Sequence, residues 1–101
     1  MAELPQIHHD AGFRRFHLLL EGVEAELTYH LLDSHAAGSA TVMVIDHTGV
    51  PEAIGGRGLA GQLVTAAFEH ARALGWRVLP ACSYARVWAE RHPEYGDLLV
   101  G

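Results

Sequence analysis

The segment Gly55-Gly56-Arg57-Gly58-Leu59-Ala60 joins two stretches of opposite character. Before it, residues 40–46 (ATVMVID) form a short β-branched run, which is typical of a central strand covered on both faces. After it, apolar side chains recur at helical spacing through residues 59–74, and Gly75 stands where a glycine commonly ends a helix. A glycine-rich turn that opens a helix suits a phosphate, because backbone N–H groups and a partial positive charge meet there. The same glycines also suit a tight turn with no ligand.

The segments on either side of this turn indicate the rest of the fold. Residues 13–21 are apolar and short, and residues 24–32 alternate between apolar and polar side chains, as a half-buried antiparallel strand does. With residues 40–46 they form a three-stranded antiparallel meander, preceded by a loose lead-in over residues 1–10. Residues 78–82 predict a short strand, and residues 84–91 predict a helix with Ser83 as its N-cap. This order predicts an α/β (α+β) fold with a mixed sheet, in which strand three, the helix and strand four make a parallel β-α-β unit.

Length and composition restrict the classes of protein that fit. The chain has 101 residues, enough for a single domain over residues 1–101. No apolar run approaches the ~20 residues of a membrane span, and the first residues carry no secretory pattern. Cys82 is the single cysteine, which excludes a disulfide within the chain and a multi-cysteine zinc site. The eight histidines show no metal-binding spacing, so we expect no metal and a cytoplasmic location.

The excess of acidic over basic residues limits the kinds of partner that the chain could bind. Twelve acidic residues stand against seven arginines, there is no lysine, and the formal charge is −5. Nucleic-acid binding needs a positive surface, so we expect no nucleic-acid partner. The acidic balance favours a basic substrate such as an amine, although it also serves solubility alone.

Two nucleotide-binding motifs can be tested against the glycine segment. A P-loop requires GxxxxGK(S/T), and this chain has no lysine. Residues 56–61 match GxGxxG literally, but a dinucleotide fold also requires an acidic residue ~20 positions later. Residues 78–82 (VLPAC) carry none, and a meander precedes the turn. Neither nucleotide fold therefore fits.

The segment Val50-Pro51-x-x-x-x-Gly56-Arg57-Gly58-Leu59-Ala60-x-x-Leu63-Val64 resembles the acetyl-CoA motif of the GNAT N-acetyltransferases. In that motif, (Gln/Arg)-x-x-Gly-x-(Gly/Ala), Gly58 and Ala60 match the last two fixed positions, while Gly55 stands where the family has Arg or Gln. The segments His47-Thr48-x-Val50-Pro51, Pro80-x-Cys82-Ser83-Tyr84 and Arg91-His92-Pro93-Glu94-Tyr95 resemble a small branch of the superfamily, the YjdJ type. The resemblance covers residues 12–99.

The resemblance implies a truncated GNAT-like fold with acetyl-CoA in a V-shaped opening between strands three and four. Backbone amides of the glycine turn would hold the pyrophosphate, and main-chain groups at the end of strand three would pair with the pantetheine arm. The cofactor-binding residues so implied are Asp46, His47, Thr48, Gly56, Arg57, Gly58, Leu59 and Ala60.

The implied activity is direct transfer of acetyl to an amine, carried by a small molecule, a peptide or a protein. The alternatives are a CoA-binding or regulatory module with little transferase activity, and an interaction protein with an empty loop. Only about a dozen residues precede the first predicted strand, which leaves no room for the two N-terminal helices of larger members. The acceptor site would then be open, or completed by a second subunit in a homodimer or by the substrate.

Three residues are catalytic candidates at the edges of the implied opening. His47 ends strand three and could deprotonate the amine, since its reference pKa is near 6.5, or it could be structural. Cys82 ends strand four and is a candidate nucleophile or lining residue, although a lone cysteine in an apolar strand is often a small buried side chain. Tyr84 begins the last helix and could protonate the departing thiolate or simply pack.

Overall fold

The computed structural model describes residues 5–33 and 40–100, which form one five-stranded sheet with two helices. The strands are β1 (His8–Asp10), β2 (Arg15–Leu20), β3 (Val23–Leu32), β4 (Val42–Gly49) and β5 (Arg77–Pro80), and the helices are α1 (Leu59–Leu74) and α2 (Ser83–Arg91). Short 3-10 turns occupy Glu52–Ile54 and Pro93–Leu98. The strand order is β1-β2-β3-β4-β5, with antiparallel neighbours except for the parallel pair β4–β5. The predicted mixed α/β fold is confirmed.

The strand β1 was not expected, because its three residues His-His-Asp have no strand-like pattern. It lies at the edge of the sheet and pairs with β2. Its residues belong to the segment 1–10, for which the sequence predicts a loose lead-in. His9 stacks on Phe16, with ring centroids 4.2 Å apart, and its Nε2 lies 2.6 Å from the hydroxyl of Tyr29. Side-chain contacts across the sheet thus stabilise a strand that the local sequence does not indicate. With β1, the antiparallel meander has four strands instead of the predicted three.

The docking of His9 predicts a pH dependence of stability. Burial lowers the pKa of His9 below its ordinary value, and the charge of His70 lowers it further. Above pH ~6.5 the imidazole is neutral in both the folded and the unfolded chain. As the pH falls below that value, the unfolded chain binds the proton first, so the free energy of unfolding decreases until the pH passes the folded-state pKa.

We therefore expect the Tm of the unmodified chain to fall more between pH 7.5 and pH 5.5 than that of His9→Phe. The phenylalanine keeps an aromatic ring against Phe16 and has no titrating group. Thermal unfolding followed by circular dichroism at both pH values measures the difference. An identical fall in both proteins would contradict this role of His9.

The core lies between one face of the sheet and the two helices. The buried residues of α1 follow its predicted apolar stripe: Leu59, Leu63, Val64, Ala67, Phe68 and Ala71. The helix α2 joins the same core through Trp88, whose ring centroid lies 5.0 Å from that of Phe68. Both helices therefore pack on the same side, and Gly75 ends α1 at φ 73° as predicted.

The opposite face of the sheet, here called the open face, carries the polar members of the alternating strands. On β3 these are Glu24, Glu26, Thr28 and His30, all exposed or half-exposed. Arg15 on β2 forms ion pairs with both Glu24 and Glu26 at 3.1 and 2.6 Å. The alternation in residues 24–32 thus separates a helix-covered face from an open one.

The strands β4 and β5 separate midway along β4. Their pairing ends at Ile45 and Pro80, and the N–H groups of Ala81 and Cys82 both donate to the carbonyl of Ile45 at 3.1 Å. The strand β5 is therefore Arg77–Pro80 and not the predicted residues 78–82. Beyond Ile45, β4 continues to Gly49 in register with β3 alone. This divergence creates the predicted V-shaped opening in the sheet.

A bulge lies at the same point of β4. Tyr29 pairs with Ile45 and Thr28 pairs with His47, which leaves Asp46 as an extra residue on β4. Because of this residue, His47 faces the open side with Thr28, while Thr48 pairs with Leu27 on the helix side. The bulge therefore decides which side chains of the strand end reach each side of the opening.

Candidate functional site

The glycine turn forms a cradle in front of α1. Gly56 and Gly58 have φ of 74° and 75°, which favour glycine, and a Cβ built at either position meets nothing within 4 Å. A cavity of about 340 Å³ lies here, lined by Val50, Gly55, Gly56, Gly58, Leu59, Ala60 and Tyr84. The first N–H groups of a helix have no acceptor within it, so this cavity meets the donor end of α1. Its chemistry suits an anion.

Arg57 contacts the neighbouring hairpin. Its guanidinium forms an exposed ion pair with Glu21, in the turn between β2 and β3. The hydrogen bond from Arg57, followed by its charge, lowers the pKa of the Glu21 carboxyl below the usual range. The predicted phosphate contact of Arg57 would need this ion pair to open.

Gly55, where the resembling family has Arg or Gln, has an ordinary φ of −72°. A Cβ built on it lies 3.3 Å from the carbonyl oxygen of Glu52, which accepts the N–H of Gly55 at 3.0 Å. The 3-10 turn Glu52–Ile54 thus closes tightly against this position. A longer side chain would need that turn to shift, which gives a physical reason for the glycine.

Thr48 and Cys82 meet across the helix side of the opening. Their side chains lie 3.6 Å apart, from Oγ1 to Sγ. The Sγ of Cys82 also accepts the backbone N–H of Ala85 at 3.3 Å. Cys82 is therefore the N-cap of α2, and the prediction that Ser83 is the cap was wrong. Ser83 begins the helix because the extended backbone of Cys82 (φ −80°, ψ 150°) precedes it.

The capping contact predicts how Cys82 variants behave. We expect Cys82→Ser to keep the acceptor for Ala85 and Cys82→Ala to be less stable than Cys82→Ser by about 1 kcal/mol. Urea unfolding of both variants measures this difference. The pair also tests the predicted nucleophile, because unchanged acetyl transfer by Cys82→Ser would contradict covalent catalysis. Equal stability of the two variants would contradict the cap.

His47 lies on the open face, away from Cys82. A Cβ built on Gly49 would lie 2.8 Å from its Nε2, so glycine there leaves space for the imidazole. A cavity of about 410 Å³ surrounds it, lined by Glu24, Glu26, His47, Gly49, Val50 and Pro51. The three catalytic candidates thus occupy both sides of the opening: Cys82 and Tyr84 on the helix side, and His47 on the open side. Their catalytic roles stay predictions.

The structure adds a His–Asp pair that sequence reasoning did not find. His30 Nδ1 lies 2.7 Å from Asp46 Oδ2 and 3.0 Å from Oδ1, between β3 and β4 on the open face. A carboxylate at Nδ1 orients an imidazole and leaves Nε2 for another partner. The two residues are 16 positions apart and meet diagonally, since His30 is opposite Val44, and the local sequence does not indicate this register.

Tyr84 stands beside the glycine cradle on the first turn of α2. Its hydroxyl would lie 3.4 Å from a Cβ built on Gly61, so the two helices approach closely at this level. The side chain is 42% exposed, which makes the phenol accessible from the cavity. The structure therefore brings Tyr84 and the glycine turn together.

Residues 5–33 and 40–100 contain no helix with the length and apolar character needed to cross a membrane. Within the same ranges, no three His, Cys, Asp or Glu side chains gather in a way that could hold a metal ion.

Two comparisons with known proteins identify the family of this chain. A family model described as GCN5-related N-acetyl-transferase matches residues 15–98. The fold is also similar to the solution structure of a GCN5-like protein from Staphylococcus aureus, described as a candidate N-acetyltransferase. The two chains are 29% identical with a TM-score of 0.70, over 95% of this chain and 88% of the other. The chain therefore belongs to the GCN5-related N-acetyltransferase family, and by that membership it is an acetyltransferase.

Proposed function

We propose that the protein binds acetyl-CoA and transfers the acetyl group to an amine by direct attack. The observation that carries this proposal is the glycine cradle, where Gly56 and Gly58 leave open space in front of α1. A Cβ at either glycine would enter that space, so the residues present fit a pyrophosphate held by backbone N–H groups. Beyond Ile45, the edge of β4 that faces away from β3 has no strand beside it among the described residues. Main-chain groups of Asp46, His47 and Thr48 can therefore pair with the amides of a pantetheine arm.

Acetyl-CoA, when bound, supplies the acetyl group as an activated thioester. The helices cover one side of the sheet, so the amine approaches from the open face. There, a ring nitrogen of His47 would accept a proton from the ammonium form of the amine, which frees the nitrogen lone pair to form the new C–N bond as the C–S bond breaks. On the helix side, the hydroxyl of Tyr84 would donate a proton to the departing thiolate and regain one through solvent, as the attacking nitrogen loses its remaining extra proton. The base and the acid serve different reactants, which is consistent with their positions on opposite sides of the opening.

The first experiment measures the Tm with increasing acetyl-CoA. Ligand at about 100 times its Kd stabilises the folded state by about 2.7 kcal/mol, which corresponds to a rise in Tm of about 11–22 °C for a domain of this size. The second experiment measures thiol release from acetyl-CoA with small amines, polyamines and peptides. We expect at least one amine to raise the release above the background. No Tm shift at millimolar acetyl-CoA would overturn the proposal.

A CoA-binding or regulatory module is the second candidate. It is favoured by the use of the Cys82 thiol as a helix cap, which gives this side chain a structural role. A Tm rise without release of thiol by any acceptor would select it.

Finer assignments follow from the same proposal. We infer that the chain belongs to the small YjdJ-type branch, because two of its three branch segments, residues 47–51 and 80–84, border the opening described above. The acceptor is an amine of a small molecule, a peptide or a protein, and a second copy of the chain completes the acceptor side if the open face alone does not. The acidic charge of −5 disfavours nucleic acid. A cytoplasmic location agrees with the supply of acetyl-CoA there.

A further inference from the structure

The pair of His30 and Asp46 lies on the open face and takes no part in the mechanism described above. His30 Nδ1 lies 2.7 and 3.0 Å from the two carboxylate oxygens of Asp46. An ionised carboxylate can only accept hydrogen bonds, so Nδ1 carries the proton that the pair shares. In the neutral imidazole, Nε2 then holds a lone pair and can accept a proton. The arrangement is that of a base whose orientation is fixed by its partner.

The pair borders the point where β4 separates from β5. Asp46 is the extra residue of β4 and directly follows Ile45, at which the pairing with β5 ends. The next residue, His47, is opposite Thr28, and Thr28 lies on the same face of β3 as His30. His30 and His47 are therefore diagonal neighbours on the open face, and such neighbours lie roughly 7–8 Å apart in a regular strand pair. An amine that enters the opening from this face can reach both imidazoles.

The pair is accessible, and its carboxylate has no other cation beside it. The side chain of His30 is 52% exposed and that of Asp46 is 42% exposed. Arg15, which also lies on the open face, is held by Glu24 and Glu26 at 3.1 and 2.6 Å. Among residues 5–33 and 40–100, His30 is the only basic side chain within ion-pair distance of Asp46. The charge of Asp46 is thus available to stabilise a positive charge on the His30 ring.

Acetyl transfer to an ammonium requires the nitrogen to lose two protons. The first is lost before the attack, because only the neutral amine has a free lone pair. The second remains on the nitrogen when the C–N bond has formed. In the proposed mechanism His47 takes the first proton, and an imidazolium has no lone pair for another. A second acceptor on the same face takes the remaining proton without waiting for His47 to lose its own.

We propose that His30, oriented by Asp46, is a further catalytic residue that accepts this second proton. As the C–N bond forms and the C–S bond breaks, Nε2 of His30 takes the extra proton from the nitrogen, which leaves a neutral amide. Asp46 is a positioning residue, since its carboxylate holds the ring and stabilises the imidazolium. Both histidines then release their protons to solvent and Tyr84 takes one up after protonating the thiolate, so each acetyl transfer releases one proton. The proposal rests on the proposed function.

The tautomer of His30 tests the proposal without any substrate. Long-range proton–nitrogen NMR spectra, recorded at a pH of about 8 where an ordinary imidazole is neutral, distinguish a ring protonated at Nδ1 from one protonated at Nε2. After assignment of the ring signals, we expect His30 to carry its proton on Nδ1 in the unmodified chain and to lose this preference in Asp46→Ala. Protonation at Nε2 in the unmodified chain, or an unchanged tautomer in Asp46→Ala, would overturn the proposal.

Chemical rescue tests the role of His30 in the reaction. Because this side chain is half exposed, His30→Ala leaves a space beside Asp46 that added imidazole can enter. Thiol release is measured with acetyl-CoA and with phenethylamine, spermidine or Nα-acetyl-lysine amide as the amine. We expect His30→Ala to lower kcat ~100-fold with an unchanged Kd for acetyl-CoA, and imidazole to restore part of the rate. A loss that imidazole does not relieve would make His30 structural and overturn the proposal.

The variant His17→Ala is the matched control. His17 also lies on the open face, with Nδ1 3.8 Å from a carboxylate oxygen of Glu24, but it belongs to β2, which β3 separates from the opening. We expect this variant to keep the kcat of the unmodified chain and to show no response to imidazole. An equal loss of kcat in both variants would contradict a specific role of His30.

The outcomes separate this proposal from the proposed function. If an amine accelerates thiol release by the unmodified chain and His30→Ala matches its rate, the role of His30 is wrong and acetyl transfer stands. If acetyl-CoA raises the Tm but no amine accelerates thiol release, the transfer and the role of His30 are both wrong and cofactor binding stands. Should His30→Ala not fold, the tautomer of His30 in the unmodified chain decides the matter.

Discussion

Replacing Gly58 with alanine is expected to weaken acetyl-CoA binding by ~10-fold or more, a loss of at least about 1.4 kcal/mol. Gly58 precedes α1 at φ 75° and lines both the glycine cradle and the cavity of about 630 Å³ between α1 and α2. Its added methyl group would enter open space from which a bound pyrophosphate must approach the backbone. Calorimetric titration with acetyl-CoA measures the change.

The variant Gly75→Ala is the matched control for backbone strain. Gly75 lies at the other end of the same helix with φ 73°, and a Cβ there also meets nothing within 4 Å. Both alanines carry a left-handed backbone, which costs about 1–2 kcal/mol of folding stability. Only Gly58→Ala should lose affinity. Equal affinities of the two variants for acetyl-CoA would place the pyrophosphate elsewhere.

Replacing Phe68 with alanine is expected to reduce the free energy of unfolding by about 3–5 kcal/mol. Phe68 is completely buried on α1, and its ring lies 5.0 Å from that of Trp88 and 5.5 Å from that of Tyr95. Its removal would leave a cavity where α1 meets α2 and the C-terminal segment. Domains of this size have a total stability of about 5–15 kcal/mol, so the loss is a large share of it. Urea unfolding measures the difference.

Phe13→Ala makes the same chemical change at a position that is 80% exposed. We expect it to change the free energy of unfolding by less than about 0.5 kcal/mol. A comparable loss in both variants would mean that Phe68 does not carry the predicted share of the core.

The elements with long, regular patterns could be predicted from sequence. The apolar spacing through residues 59–74 and Gly75 locate α1, and the alternation in residues 24–32 identifies which side of β3 is buried. β1 could not be predicted, because His9 is held by Phe16 and Tyr29, which lie in other strands. The cap of α2 was misassigned to Ser83 because serine is the better intrinsic cap, yet Cys82 has the extended backbone that the position requires.

The candidate site could be predicted in part. The glycine motif indicates the cradle, and the structure brings Tyr84 to it. The distribution of the other side chains could not be foreseen, since the separation of β4 from β5 and the position of His47 depend on pairing between distant segments. The ion pair of Arg57 with Glu21 is similarly beyond a local pattern, because the two residues are 36 positions apart.

The extra residue in β4 changes the parity of the strand. Upstream of it, odd-numbered residues such as Met43 and Ile45 face the helices; downstream, the even-numbered Thr48 does. Deletion of Asp46 alone would give a uniform alternation in which His47 stays on the open face opposite Thr28 and Thr48 stays on the helix side opposite Leu27. A single inserted residue thus exchanges the faces of odd- and even-numbered positions in the part of the strand that follows it. When related chains are aligned, the residues of this strand should therefore be assigned to the two faces separately before and after Asp46.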